Sequence, residues 1–394
     1  MHSRPMYYEQ PYLQSLEATV VSITDAGVIL DKTICYPEGG GQSGDIGFLG
    51  SSVLEDTTKD HEGTIYHHVT DPGFAEGDTV TITLDWGHRY QFMQMHTAQH
   101  IASGLLYSHF GIGTTSVHQG QEIMTIETDA SHIPLETCYA LEDLVNAAVL
   151  EAHPIRYEVH TQASAQSLDL RRSIKVEGDG VRLVIIEGVD TIACGGLHVA
   201  NTREVQLFHY QGQEKMRGHI RLLFTVADAA RKAIRKAEQV GEELGVMFSS
   251  PLDTLSETAF QALAAAGRDK AALQKARQTI ASLLLSQKVE KADPISGIPL
   301  VLWLVGEELA LKEIGQAVTE YQDLALCAVK QDGERVMWLV ALQGKGASLV
   351  DFSRIKSSLL EPIQGKGGGR PPLYQGSGSG DGLTLLDSFA RLVR

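Results

Sequence analysis

"MHTAQHIAS", Met95–Ser103, sets two histidines, His96 and His100, four residues apart in an apolar stretch that starts near Phe92. Residues i and i+4 project from one face of a helix, close enough to share a ligand. The pattern predicts a long helix from just after Trp86 to about Phe110. Upstream, between Glu17 and Leu84, the texture is different. "ATVVSIT", "GVILDKTICY", "TIYHHVT" and "DTVTITLDW" are short alternating runs, parted by turn signals at Asp25-Ala26-Gly27 and Asp71-Pro72-Gly73. They predict a small antiparallel β-barrel over residues 1–88. Downstream, strands in "SVHQGQEIMTIETD", "IRYEVHT", "VRLVIIEGV" and "IRLLFTV" surround a helix over 135–152. Residues 89–226 are therefore expected to form an α+β block.

A third texture begins near Ala227. Residues 227–292 are rich in Ala, Leu and Lys with helical periodicity, broken at Ser250-Pro251, which predicts two long helices forming a hairpin or stalk. From 293 to 394 apolar strands alternate with helices and end near a glycine-rich loop, "GKGGGR" at 365–370, so a separate α/β domain is expected. The whole chain is expected to be an α+β multidomain protein.

The bulk numbers narrow the function classes. With 43% hydrophobic and 21% charged residues over 394 positions, the chain can bury several cores and is not disordered. No apolar run approaches a membrane span, and "MHSRPMYYEQPYLQ" lacks the features of a secretory leader, so a soluble cytoplasmic protein is expected. Cys35, Cys138, Cys194 and Cys327 are widely spaced with no CxxC pair, which argues against a disulfide scaffold. The net charge of −16 repels polyanions, so any RNA contact has to come from local patches such as "RKAIRK" at 231–236 or "GKGGGR".

The histidine pair gains meaning from "DTIACGGLHVA" at 190–200, which sets Cys194 and His198 also four apart. One thiolate and three imidazoles suit Zn²⁺ in a tetrahedral shell. Gly195 and Gly196 permit the tight turn needed to aim both side chains at one point. Either all four bind, or three bind and water or substrate takes the last position. Thr97 stands where a metalloprotease helix needs a glutamate, which disfavours that chemistry. A third element is "CYPEGGGQSGDIG" at 35–47, whose glycines Gly39, Gly40 and Gly41 can form a nest of N–H donors. Gln42 adds a side-chain amide beside it. The same run also reads as a plain hairpin turn.

Together, "LDKTICYPEGGGQSGDIG", "DWGHRYQFMQMHTAQHI", "SVHQG" and "VDTIACGGLHVANTREV" resemble the editing domain of alanyl-tRNA synthetase and the free-standing alanyl-tRNA editing proteins of the AlaX type, in their large form. "GKGGGRPPLYQGSG" at 365–378 is similar to the glycine-rich signature of the DHHA1 domain. The resemblance implies a zinc site at His96, His100, Cys194 and His198. It also implies a pocket around Gly40, Gly41 and Gln42, with Thr33 and His118 nearby. Its reaction is hydrolysis of mischarged tRNA(Ala), seryl ester first and glycyl ester second, with Gln42 and Thr33 as candidates to bond the serine hydroxyl. A non-catalytic zinc- and RNA-binding protein is the alternative. Lys366, Gly368, Gly369 and Arg370 become candidate tRNA contacts, and the C-terminal domain a candidate site of homodimer formation. The editing block begins almost at residue 1, so a trans-acting deacylase is expected; nucleotide and ATP binding belong to the ligase side of the resemblance. Leu197 departs from the synthetases, which often carry Thr there.

Overall fold

Six strands wrap into a closed barrel in the computed structural model, which describes residues 3–168, 170–172 and 180–394. They are β1 (Ser15–Thr24), β2 (Gly27–Leu30), β3 (Gly47–Leu49), β4 (Ser52–Lys59), β5 (Ile65–Val69) and β6 (Thr79–Leu84). Around the barrel the order is β1-β2-β5-β4-β3-β6. Alternation explains the closure. Val80, Ile82 and Leu84 of β6 point inward against Val20, Val28, Leu30, Leu49 and Leu54. A closed sheet leaves no unpaired edge. The barrel expected from the alternating runs is thus present as a six-stranded closed sheet.

The long helix follows at once. α1 spans Trp86–Phe110. The Asp85 side chain caps it by accepting from His88 N at 3.0 Å, and Gly111 ends it at φ +66°, donating to Tyr107 O. From Phe92 to Leu106 the helix is buried on every side, so the periodic stripe of a surface helix is missing. Gly104 permits one close contact: a Cβ there would lie 2.6 Å from Val189 O.

Two antiparallel sheets and the Leu135–Glu151 helix surround α1. One sheet runs Phe208–Met216, His219–Val226, Met124–Thr128, Thr114–Gln119. The other runs Ile155–His160, Val181–Ile186, Asp190–Ala193, and its last strand feeds directly into Cys194. A buried ion pair ties barrel to helix. Arg89, fully buried on α1, grips Asp45 through Nε at 2.9 Å and through Nη2, and it also donates to the carbonyls of Pro11 and Ile34. Asp45 in turn accepts from Tyr36 N, so the segment carrying the glycine turn is fixed against the helix that carries the histidines.

The chain divides into two compact units, Met1–Glu243 and Leu244–Arg394. Helices Ala227–Phe248 and Leu255–Glu290 occupy the stretch with helical periodicity. Within the second unit a six-stranded sheet contains one parallel pair, Ile298–Leu304 beside Leu324–Asp332, and is otherwise antiparallel. One expectation changes here. The glycine-rich run is not a loop but a strand, Lys366–Arg370, paired antiparallel with Leu373–Ser379. Its glycines make room: a Cβ on Gly367 would lie 2.4 Å from Gln375 O and 2.7 Å from the Trp338 ring. The two strands close over that buried indole because they carry no side chains there.

Candidate metal centre

His96 and His100 lie one turn apart on α1, and Cys194 and His198 lie on the loop after the Asp190–Ala193 strand. The fold brings all four together, with their ligand atoms within 4.8 Å of one another. Cys194 Sγ stands 3.3 Å from His96 Nε2, and the His198 ring centroid is 4.4 Å from each of the other two imidazoles. The three histidines are buried and the cysteine is partly exposed. Burial comes first in holding His96 and His198 well below the usual histidine range, and neighbouring imidazoles and Arg182 add to it. Burial, with Arg171 and Arg182, takes His100 down to about 3. All three are neutral near pH 7 and offer lone pairs. Burial also raises the Cys194 thiol, against the pull of the Gly196 N–H and Arg182.

The surroundings bond two of the rings and set a carboxylate near the third, whose Nδ1 makes no hydrogen bond. His96 Nδ1 donates to Gln42 Oε1 at 3.1 Å. His198 Nδ1 meets Thr97 Oγ1 at 3.3 Å, and that hydroxyl donates to Met93 O and accepts from Val199 N. His100 Nδ1 faces Asp190 Oδ2 at 3.6 Å, and Asp190 is held by a two-pronged bond from Arg171 at 2.7 and 3.0 Å. An imidazole anchored by one nitrogen presents the other to a metal. His198 Nε2 is buried with no protein partner, the mark of an atom awaiting a ligand. Gly196 completes the cradle, since a Cβ there would lie 1.9 Å from His96 Cε1. A soft-to-borderline cation such as Zn²⁺ fits this donor set.

Other residues singled out from the sequence fall at varied distances from this chemistry. Gly39 to Gln42 form a two-residue turn with both cross-bonds made, Gly39 N to Gln42 O at 3.0 Å and Gln42 N to Gly39 O at 3.1 Å. Gly40 and Gly41 take φ of +62° and +87°, as a hairpin turn of the primed type requires. The Gln42 N–H is therefore already used, while its side chain reaches the centre. Oε1 accepts from His96 and from Leu197 N at 3.1 Å, which fixes Nε2 as the free end, buried and without a partner. Thr33 is buried in the barrel. It bonds His67 Nε2 at 2.7 Å and accepts from Cys35 N at 3.0 Å, so its hydroxyl is committed. His118 is exposed on the Thr114–Gln119 strand, one residue beyond Val117, whose carbonyl faces Gly41. Lys366 and Arg370 are exposed on the edge strand with Gly368 and Gly369 between them, in the second unit. Sequence reasoning missed Thr97, Arg171, Arg182 and Asp190 as supports of the centre. Only the Thr97 position, beside the first histidine, carried a signal.

Comparison with known proteins agrees with this architecture. Residues 8–88 match the family of class II (A) tRNA synthetases, and residues 181–223 match the threonyl and alanyl tRNA synthetase second additional domain. An alanine–tRNA ligase of Methanococcus aeolicus is 28% identical over 96% of this chain and 42% of its own length. That of Pyrobaculum aerophilum is 30% identical over 99% of the chain and 44% of its own. The alanyl-tRNA editing protein AlaX-L of Pyrococcus horikoshii is 34% identical over 51% of the chain and 52% of that protein. The chain thus spans about half the length of the relatives it matches, or less. A crystal structure of the C-Ala domain of Aquifex aeolicus alanyl-tRNA synthetase aligns with 26% of the chain at a TM-score of 0.23 and 14% identity, too loose a likeness to bear on the fold. The two family matches make the chain similar to the accessory domains of tRNA synthetases. Within that class, the chain is a relative of the AlaX-type alanyl-tRNA editing proteins, as its motifs suggested. No helix among the described residues is long and apolar enough to cross a membrane.

Proposed function

We propose that this protein hydrolyses the ester joining a wrong amino acid to the terminal adenosine of tRNA(Ala), with serine the preferred residue and glycine the second. Water adds to the ester carbonyl, the bond from that carbon to the ribose oxygen breaks, and a proton returns to the ribose hydroxyl. His96, His100, Cys194 and His198 would hold Zn²⁺, which when bound supplies a Lewis acid beside the ester. The chain's own part is to orient and to discriminate.

Discrimination poses the sharper physical problem, because alanine lacks only the serine hydroxyl and size cannot exclude it. A buried polar group left unpaired by alanine and paired by serine solves it. The observation that carries the reading is the Gln42 side chain: its oxygen is spent on His96 and Leu197, and its nitrogen is buried beside the cluster with nothing to bond. In this reading Nε2 donates to the serine hydroxyl. Thr33, committed to His67, supports the barrel wall behind it, and Gly40, Gly41 and His118 form the mouth of the pocket. Lys366, Gly368, Gly369 and Arg370 of the C-terminal DHHA1-like domain contact the tRNA backbone, where exposed cations flank a strand with little side-chain bulk. The same domain supports a homodimer.

The test is incubation of seryl-, glycyl- and alanyl-tRNA(Ala) with the purified protein, with and without a chelator. Seryl ester should be cleaved fastest and the chelator should stop it. Gln42→Ala removes the free donor and leaves no acceptor in its place, so the seryl-over-alanyl ratio should fall at least tenfold, the scale of one lost hydrogen bond to a buried group of about 1.4 kcal/mol or more. An unchanged ratio with measurable activity would refute the role of Gln42. No cleavage of any of the three esters would refute the deacylase itself.

A further inference from the structure

Two side chains account for the carbonyls of the loop that carries Cys194. Arg182, on the Val181–Ile186 strand, donates from Nη1 to Cys194 O at 2.8 Å and to Gly196 O at 3.0 Å. Tyr8, in the segment that precedes the barrel, donates its hydroxyl to Gly195 O at 2.8 Å. The guanidinium itself lies over two rings, 4.1 Å from the centroid of Tyr157 and 4.9 Å from that of Tyr8, as favoured for a cation over an aromatic face. Three successive carbonyls are thereby tied, while the Gly196 N–H points to Cys194 Sγ at 3.3 Å.

We propose that Arg182 is a positioning residue for the metal centre: bracketed by Tyr8 and Tyr157, it holds the Cys194 arm in ligating geometry before a cation arrives. The inference rests on reading the four clustered side chains as a divalent-cation site. Its physical basis is the contrast among those four. Each histidine is buried, whereas Cys194 is partly exposed and precedes two glycines, which have the most backbone freedom to lose when an ion binds. Tying the carbonyls beforehand removes that loss from the binding step. Lysine could not replace the arginine: one nitrogen bonds both carbonyls, but an ammonium has no planar face to lie against the Tyr8 and Tyr157 rings at the same time.

The experiment uses the full chain stripped of metal and titrated with Co²⁺. Absorption reports the thiolate-to-cobalt charge-transfer band and the visible bands of a tetrahedral ion separately. Arg182→Met should weaken Co²⁺ binding about 10- to 100-fold, the usual scale for a residue supporting a metal ligand. It should also lower the thiolate band relative to the visible bands at saturation, and Arg182→Lys should follow it. Tyr8→Phe removes one bond from a side chain that is 39% exposed, so it keeps its fold and gives a smaller change of the same kind even if Arg182→Met does not fold. Wild-type protein that binds Co²⁺ without a thiolate band, or does not bind it, refutes the four-ligand reading and the clamp with it. Wild-type protein with both bands, on which the folded variants superpose in midpoint and band ratio, overturns the clamp and leaves the cation site standing.

Discussion

Runs of three glycines occur twice in this chain, at 39–41 and at 367–369, and they answer different physical needs. In the first, Gly40 has φ +62° and a Cβ added there would meet nothing within 4 Å, so the backbone conformation selects the residue. In the second unit a Cβ on Gly369 would lie 2.2 Å from Leu373 O, and one on Gly376 of the facing strand 2.1 Å from Lys366 O, so space selects it. A run of glycines is therefore ambiguous until its neighbours are known. The metal centre joins both uses: a conformational turn delivers Gln42, and Gly196 is glycine for lack of room against His96.

That distinction can be broken by substitution. Gly196→Ala should have the largest effect, because the displaced group, His96, is one of the four proposed ligands. Zinc content and hydrolysis of seryl-tRNA(Ala) should each fall by about two orders of magnitude, measured by metal analysis and initial rates. Acid should next separate the two units, since all 15 histidines lie before residue 244. Burial takes His67 from 6.5 to about 4 in the folded barrel. The unfolded chain then binds the extra proton between those values, so the stability contribution is complete above pH 6.5 and drains away as pH falls towards 4. The loss should be about 3 kcal/mol in the first unit, and His67→Gln should flatten that slope in denaturant titrations. Smaller again, Gly376→Ala should cost about 2 kcal/mol by forcing the two strands apart. Gly40→Ala should cost only about 1 kcal/mol, the strain of a left-handed residue, and Gly40→Asn less. Equal losses for Gly376→Ala and Gly40→Ala in thermal unfolding would erase the distinction between conformation and space.

The parts of the molecule that were legible share one property: local spacing encodes them. Four-residue separations marked the two residue pairs that the fold gathers into one cluster, and alternation announced the barrel strands. The helix bounds expected from that stretch, from just after Trp86 to about Phe110, match Trp86–Phe110, and the folded chain shows Asp85 and Gly111 capping it. What stayed hidden depends on distant partners. The committed hydroxyl of Thr33 follows from His67, 34 positions on, and nothing near either residue hints at it. Arg182 reads as the polar face of an alternating strand until the cysteine loop folds back over it. The glycine strand looked like a loop because Trp338, the group it accommodates, lies far away in sequence.

Arg89 carries a last implication. Its guanidinium bonds Asp45, Ile34 and Pro11 from within α1, so three segments around the barrel share one buried cation with the helix that bears His96 and His100. Neither part can melt alone without leaving the other's member of the Arg89–Asp45 pair uncompensated, a penalty of several kcal/mol. Barrel and helix are thereby coupled into a single cooperative folding unit, in which loss of the β-structure and dispersal of the His96–His100–Cys194–His198 cluster should appear as one transition.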